Sequence, residues 1–350
     1  MRSNRWIFVA IAVLFLLPIG CRKKAEEQAP LGRPLRVVAT TSIVASVVEE
    51  VGKDMIDLKI LVPYDGDPHH YVLTPSDLRM VTEADIIFIN GLGLEPFIDD
   101  MVEQSGTKAD VISVSNGIRP RHFREMSDYR RFAEATLEQV DPVNPESGKI
   151  QTDPMQTTHG DPHVWTNPYN VMVWVANIQE ALGKHDMANV EKYGTNASWY
   201  NSKLVDLDGY ILLHVGEIPP LSRHLVTDHL FLGYFADQYG FTQVGAILPN
   251  GDSISSSSAK RMVQLEELIR RLKVPTIFTG SEINHDVAQR IANDLRIEVR
   301  RLYSGSLAES GSRATDYIDY MKYNLEQIIE GLNSRQIKSL DSDRPGALVR

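Results

Sequence analysis

The sequence predicts an α/β protein: two α/β lobes with parallel sheets, set on either side of one long helix. Three observations predict it. Between residues 35 and 114 short β-branched runs alternate with amphipathic stretches, and such alternation builds parallel sheets covered by helices. Between residues 225 and 332 the alternation returns without a close sequence repeat. Between these halves, Val190, Tyr193, Ala197, Tyr200, Leu204, Leu207 and Ile211 recur at three- and four-residue steps, the period of an amphipathic helix over 186–215.

In the first half, Leu35–Ala39 reads as a strand, 43–51 as a helix and 56–62 as a second strand. Thr74-Pro75-Ser76-Asp77 is a helix start, with Thr at the N-cap, Pro in the first turn and an acid three residues on. Ile86–Ile89, a helix over 96–104 and a strand over 111–114 follow. Residues 116–162 are polar and rich in Pro, Gln and Asp, and read as a long surface loop. The helix over 186–215 would run about 40 Å at ~1.5 Å per residue, long enough to cross a pair of lobes. Gly194 and Gly209 lower its intrinsic propensity. In the second half strands are expected over 225–227, 242–248, 276–279 and 297–302. Helices are expected over 231–238, 257–271, 285–294 and 315–332.

The N-terminus has its own pattern. Arg2 and Arg5 precede an apolar run over 6–19, too short for the roughly 20 residues of a membrane-spanning helix. A basic start and a short apolar run are the parts of a signal peptide. The run ends at Gly20-Cys21, and Cys21 is the only cysteine of the chain, so no internal disulfide forms. The placement resembles a bacterial lipobox, in which the cysteine is lipidated, although Pro18 stands where leucine is usual. The alternative is an ordinary secretory signal with an incidental cysteine. The expected organisation is a signal peptide over 1–21, a flexible tether over 22–34, an N-terminal lobe over 35–185 and the linking helix over 186–215. A C-terminal lobe over 216–335 and a disordered tail over 336–350 complete it.

Composition sets broad limits. The 350 residues suffice for two lobes, and 43% hydrophobic content permits a sizeable core. A net charge of −10 argues against nucleic-acid binding, which needs a basic face. It suits a cationic ligand only weakly.

Three of the ten histidines share a context that the others lack. His69 lies in DPHHY after the second strand, His163 in DPHVW after the long loop, and His229 in VTDHLFLGYF after the strand over 225–227. Ligands of open parallel sheets bind beyond the carboxyl ends of the strands, so His69 and His229 are expected to face one cleft from opposite lobes. Neutral imidazole is a common ligand of zinc and similar ions. His122, His185, His214, His224 and His285 have no such context, and His70 is expected to point away from the cluster. Trp165, Tyr234 and Phe235 are expected to form an apolar shell that orients the imidazoles and excludes water.

The words DPHHYVLTPSDL, EADIIFINGLGLEPFI, DPHVWTNPYN, HLFLGYFADQYGF and DYIDYMKYNLEQI occur in that order, and the resemblance they carry extends from residue 35 to about 332. In them the chain resembles the metal-receptor family of ABC-transporter solute-binding proteins, which includes zinc and manganese uptake receptors and adhesion-associated lipoproteins. The resemblance implies two α/β lobes joined by one long rigid helix, with a metal site in the cleft between them. It implies His69, His163 and His229 as ligands. It also implies an aspartate at the position of Gly305 in Tyr303-Ser304-Gly305-Ser306-Leu307, where glycine offers no side-chain donor. Water, Glu282 or Glu309 could complete the shell, both acids otherwise reading as solvated surface residues. Many zinc relatives carry a histidine-rich stretch before the second ligand, whereas this chain has only Met155 and His159 there.

The resemblance further implies a transported Zn2+ or Mn2+ rather than a catalytic cofactor, and a membrane permease as partner. The expected protein is an extracytoplasmic, membrane-anchored monomer, lipidated at Cys21 and without enzymatic activity. Two alternatives stay open: a secreted zinc enzyme, because three histidines with an open position is a catalytic zinc pattern, and a surface adhesin on the same fold. No HExxH-like word or nucleophile motif supports the enzyme.

Overall fold

A computed structural model of the chain describes residues 33–121, 160–247, 256–280 and 286–342, with the backbone alone at 256–261 and 335–342. The first sheet comprises β1 (Leu35–Ala39), β2 (Ile56–Ile60), β3 (Ile86–Ile89) and β4 (Asp110–Ser113) in the order β2-β1-β3-β4. The second comprises β5 (His224–Thr227), β6 (Thr242–Ala246), β7 (Thr276–Gly280) and β8 (Glu298–Leu302) in the order β6-β5-β7-β8. All strand pairs are parallel, and the two sheets share one topology although their sequences show no close repeat. In each, the order reverses beside the first strand, between β1 and β3 and between β5 and β7. That reversal opens the crevice in which such sheets bind ligands.

Local chemistry sets the element ends. Thr41 caps helix Ser42–Gly52 by accepting from the Val44 N–H at 3.2 Å. Thr74 and Asp77 form the capping box expected at Pro75–Glu83, with Thr74 N–H donating to Asp77 Oδ2 at 2.8 Å. The linking helix runs Val190–Val215, preceded by a 3-10 turn at Met187–Asn189, so it starts four residues later than expected. Its buried stripe is Tyr193, Ala197, Tyr200, Leu204, Leu207, Asp208, Ile211 and Val215. Val190, expected in that stripe, is exposed. The helix packs against Ser42–Gly52 and Pro168–His185 from one half and Gly233–Tyr239 and Tyr317–Ser342 from the other.

Two elements correct the sequence reading. Helix Pro168–His185 was not expected as an element; Asn167 caps it by accepting from Tyr169 N–H at 2.9 Å, and it buries Val171, Trp174, Val175, Ile178 and Leu182. The closing helix runs Tyr317–Ser342, so residues 336–342 are helical rather than the start of a disordered tail. Its charged surface is tolerated because Tyr317, Tyr320, Leu325 and Ile328 on the opposite face are buried.

The two halves share one core. A single apolar cluster runs from Val37 and Val47 through Trp165, Tyr193, Tyr200 and Ile211 to Tyr317, Tyr320 and Leu332. Polar bonds stitch the same boundary. Leu307 N–H donates to Ser42 Oγ at 2.8 Å, Tyr317 N–H to Ser46 Oγ at 3.0 Å and Tyr317 OH to the Trp165 carbonyl at 2.7 Å. Swinging the lobes apart would expose these aromatics and orphan these groups.

Candidate metal centre

The fold brings His69, His163 and His229 together. One ring nitrogen from each lies within 4.8 Å of the others, the only such group of three His, Cys, Asp or Glu side chains among the described residues. The ring centroids are 5.2 Å apart for His69–His163, 5.3 Å for His163–His229 and 6.0 Å for His69–His229. His69 Nε2 and His163 Nε2 are 3.2 Å apart. Two nitrogens on a tetrahedral zinc with bonds of ~2.0–2.1 Å stand roughly 3.3 Å apart, so this pair already has the spacing of two ligands.

Each imidazole is placed by the segment before it. Asp161-Pro162-His163 folds so that Asp161 Oδ1 accepts both the backbone N–H of His163 at 3.0 Å and its ring Nδ1 at 2.8 Å. Asp228 does the same for His229, with bonds of 2.6 Å from the backbone and 2.9 Å from Nδ1. Its other oxygen receives the Gly280 N–H, so Asp228 bridges β5 and β7 where the strand order reverses. A carboxylate on Nδ1 fixes the ring's tautomer and turns Nε2 to the ion, the usual support of a metal-bound histidine. The corresponding position in the first lobe, beyond β1 and β3, is filled by buried Glu95. It accepts from Thr40 Oγ1 at 2.6 Å, Asn90 N–H at 2.7 Å and Gly91 N–H at 3.1 Å. The first lobe therefore offers its histidine from the loop after β2 instead.

Burial keeps the His69 and His163 rings neutral. Desolvation, with the neighbouring imidazoles His163 and His229, pushes His69 down to about 3. Burial likewise holds His163 well below its ordinary value. At neutral pH a metal ion would meet free lone pairs and displace no protons there. Burial pushes Asp161 up to about 7 against the opposing pull of the His163 N–H and the Arg121 guanidinium. Gly233 makes the Arg121 approach feasible: a Cβ there would sit 2.6 Å from Asp161 Oδ2 and 2.7 Å from Arg121 Nη1. Arg121 in turn donates through Nε to Asp237 at 2.6 Å.

Around the cluster the apolar shell differs from expectation in one residue. Trp165 meets His163 edge-on at 5.3 Å, with its Nε1–H held by Ser304 O and Tyr320 OH. Tyr234 contributes its hydroxyl, donating to the Asp161 carbonyl at 2.9 Å. Phe235 faces Tyr239 and Phe241 in the core instead, and the ring stacked on His229, at 4.9 Å, is Phe231. Phe231 lies two residues past His229, and a look at that spacing would have nominated it. Asp161 and Asp228 were legible in the same way, one or two residues before their histidines.

The remaining residues of interest separate clearly. His70 is exposed and pairs through Nδ1 with Asp67 at 2.7 Å, pointing away as expected. His185 pairs with Asp110, His214 bonds the Tyr210 carbonyl, and His224 is buried at the start of β5. Glu309 is exposed and does not join the cluster. Cys21, His122, Met155, His159, Glu282 and His285 lie outside the described residues. Gly305 is buried against the cluster's edge: a Cβ there would lie 3.0 Å from Pro68 Cδ, beside His69, and its backbone is not left-handed. Gly305→Asp is therefore expected to tighten zinc binding about tenfold, roughly 1.4 kcal/mol, by adding an anion to three neutral donors. Gly305→Ala, which adds the same Cβ without the charge, should stay within about threefold of the original (roughly 0.6 kcal/mol). Competition titration of both variants checks this, and a weaker Gly305→Asp protein would show that Pro68 does not yield.

A two-lobed α/β fold with three imidazoles converging between parallel sheets defines a class of cation-binding proteins. The family described as "Zinc-uptake complex component A periplasmic" matches residues 37–331, and the chain belongs to that family. It is 30% identical over 332 residues to the manganese ABC transporter substrate-binding lipoprotein PsaA of Streptococcus anginosus, covering 92% of this chain and 98% of the relative. It is 27% identical over 325 residues to the manganese-binding lipoprotein MntA of Halalkalibacterium halodurans, covering 92% and 97%. Among solved structures, the periplasmic zinc binding protein TroA of Treponema pallidum superposes with a TM-score of 0.70 at 25% identity, covering 85% of this chain and 99% of that one. The cadmium-bound periplasmic metal binding protein of Candidatus Liberibacter asiaticus superposes with a TM-score of 0.69 at 25% identity over the same shares.

Proposed function

We propose that this chain is an extracytoplasmic receptor that binds one divalent transition metal through His69, His163 and His229 and delivers it to the membrane permease of an ABC importer. The observation that carries the reading is the convergence of three imidazoles, two of them fixed by buried carboxylates. Zinc is the favoured ion and manganese the next. A borderline-soft ion suits neutral imidazoles, whereas carboxylates suit manganese. The manganese-named relatives leave both ions as candidates. Competition titration of metal-free protein with zinc and manganese tests this; tighter manganese binding would reverse the order.

Because the lobes share one core, metal exchange is assigned to the loops that carry the ligands rather than to a wide hinge opening. The receptor reading is preferred to a zinc enzyme by the roles of the nearby acids. Asp161 and Asp228 each spend an oxygen on a histidine ring and its backbone, the role of a positioning carboxylate rather than of a general base. Family membership points the same way.

Among the described residues no helix is long and apolar enough to cross a membrane. Attachment is assigned to a lipid on Cys21, after the lipoprotein names of the relatives. Cys21→Ser should release the protein from membranes with its fold and metal affinity intact. Membrane retention of that variant would sink the anchor.

A further inference from the structure

The chain uses the word Asp-Pro-His twice, and the two copies share a backbone turn but not a side-chain arrangement. In both, the aspartate accepts the backbone N–H of the histidine two residues on, at 2.9 Å for Asp67–His69 and 3.0 Å for Asp161–His163. Asp161 also takes the ring Nδ1 of its histidine. Asp67 does not: its second oxygen is bonded to Nδ1 of His70 at 2.7 Å. Among the described residues no carboxylate is bonded to Nδ1 of His69, so it alone of the three imidazoles lacks one.

Position on the surface sharpens the contrast. The His163 side chain is 5% exposed and Asp161 is fully buried, and His229 and Asp228 are nearly as enclosed. The His70 side chain is 53% exposed and that of Asp67 32%. The loop after β2 thus carries one inward ligand and one outward histidine that compete for a single carboxylate. The second Asp-Pro-His copy demonstrates that the turn itself lets an aspartate reach the ring two residues on.

We propose that His70 sets the lability of the metal site: by holding Asp67, it leaves His69 as the loosely supported ligand from which the ion departs. This rests on the receptor reading given above. His70 is a positioning residue that acts through Asp67 and does not touch the ion. His163 and His229, fixed by their own aspartates, keep the ion while the His69 loop moves. A receptor must surrender its cargo, and support of a ligand by a carboxylate commonly changes metal affinity 10–100-fold, so withholding one such support suits a site that has to release.

The test compares the zinc-loaded full-length protein with its His70→Ala, His70→Asn and His70→Ala/Asp67→Ala variants. Two readouts are taken: the rate of zinc loss to a chelator in excess, and the slowly exchanging imidazole Nδ1–H resonances in proton NMR. Of the three cluster imidazoles, the wild type should show the His163 and His229 signals alone. In His70→Ala, Asp67 is free to take His69 Nδ1, so a third signal should appear and zinc loss should slow about tenfold, the lower end of that range. Asparagine places its amide near the former Nδ1, so His70→Asn should keep the wild-type spectrum and rate. The double variant should lose both gains. An unchanged rate and spectrum in His70→Ala overturns the proposal, as does slowing that survives removal of Asp67. A wild-type protein that binds no zinc would instead overturn the receptor reading and this inference with it.

Discussion

His163→Ala is expected to lower zinc affinity at least about 100-fold, roughly 2.7 kcal/mol. His163 is the central donor of the cluster, 5.2 Å and 5.3 Å by ring centroid from the other two imidazoles. Its loss removes a ligand and also strands Asp161, a fully buried carboxyl whose Oδ1 is occupied by that ring. Deprived of its ring partner, that acid keeps only the backbone N–H of residue 163 and the pull of the Arg121 guanidinium, so its charged form is less well compensated. The cavity left beside Trp165 and Phe231 is lined by aromatic edges that do not bind metal. The overall fold should persist, because the shared core from Val47 to Tyr320 does not depend on this side chain. Titration against a chelator of known affinity, with circular dichroism to confirm folding, gives the answer. A folded His163→Ala protein with unchanged affinity would remove His163 from the site.

The second large effect is expected at Asp228. Replacement by alanine should reduce zinc affinity about 10–100-fold although Asp228 is itself no ligand. Three donors converge on this carboxylate: the His229 backbone N–H, the His229 ring and the Gly280 N–H. Alanine removes this acceptor from all three, at about 1–3 kcal/mol for each donor that water cannot reach. The same substitution should therefore lower the melting temperature of metal-free protein, because β5 and β7 lose a bridge at the point where their order reverses. Asp228→Asn keeps one accepting oxygen for His229 but sets an amide against the Gly280 N–H, so it should recover part of the affinity and little of the stability. Equal behaviour of wild type and Asp228→Ala in both measurements would show that His229 is oriented by something else.

Much of the architecture was legible because hydrophobic period and caps agree with the final packing. The Thr74–Asp77 box, the strands over the first lobe and the spacing of Tyr193, Ala197, Tyr200, Leu204, Leu207 and Ile211 all reflect burial that the sequence pattern encodes directly. Val190 broke the pattern because it sits in the first turn, beyond the reach of the core. Helix Pro168–His185 carries an Asn-Pro start and a period of its own, but its apolar residues follow the ligand word DPHVW so closely that the segment reads as part of the site. The three histidines were recoverable from the place of His69 and His229 after strands and from the words around all three. Which aromatic covers which ring was not, since Phe231 and Phe235 are both apolar neighbours of His229 and only the turn into helix Gly233–Tyr239 decides which faces it. The diversion of Asp67 to His70 was equally hidden, because both Asp-Pro-His words are identical in sequence up to the next residue.

X-ray absorption of the zinc-loaded protein tests the central claim most directly. Three histidine imidazoles on one ion, closed by a single lighter donor, predict a first shell of nitrogen and oxygen at ~2.0–2.1 Å with the outer-ring scattering of three imidazoles. That scattering should fall to two in each of the His69→Ala, His163→Ala and His229→Ala proteins. A first shell with fewer than three imidazoles in the wild type, or a count indifferent to any one of these substitutions, would contradict the account.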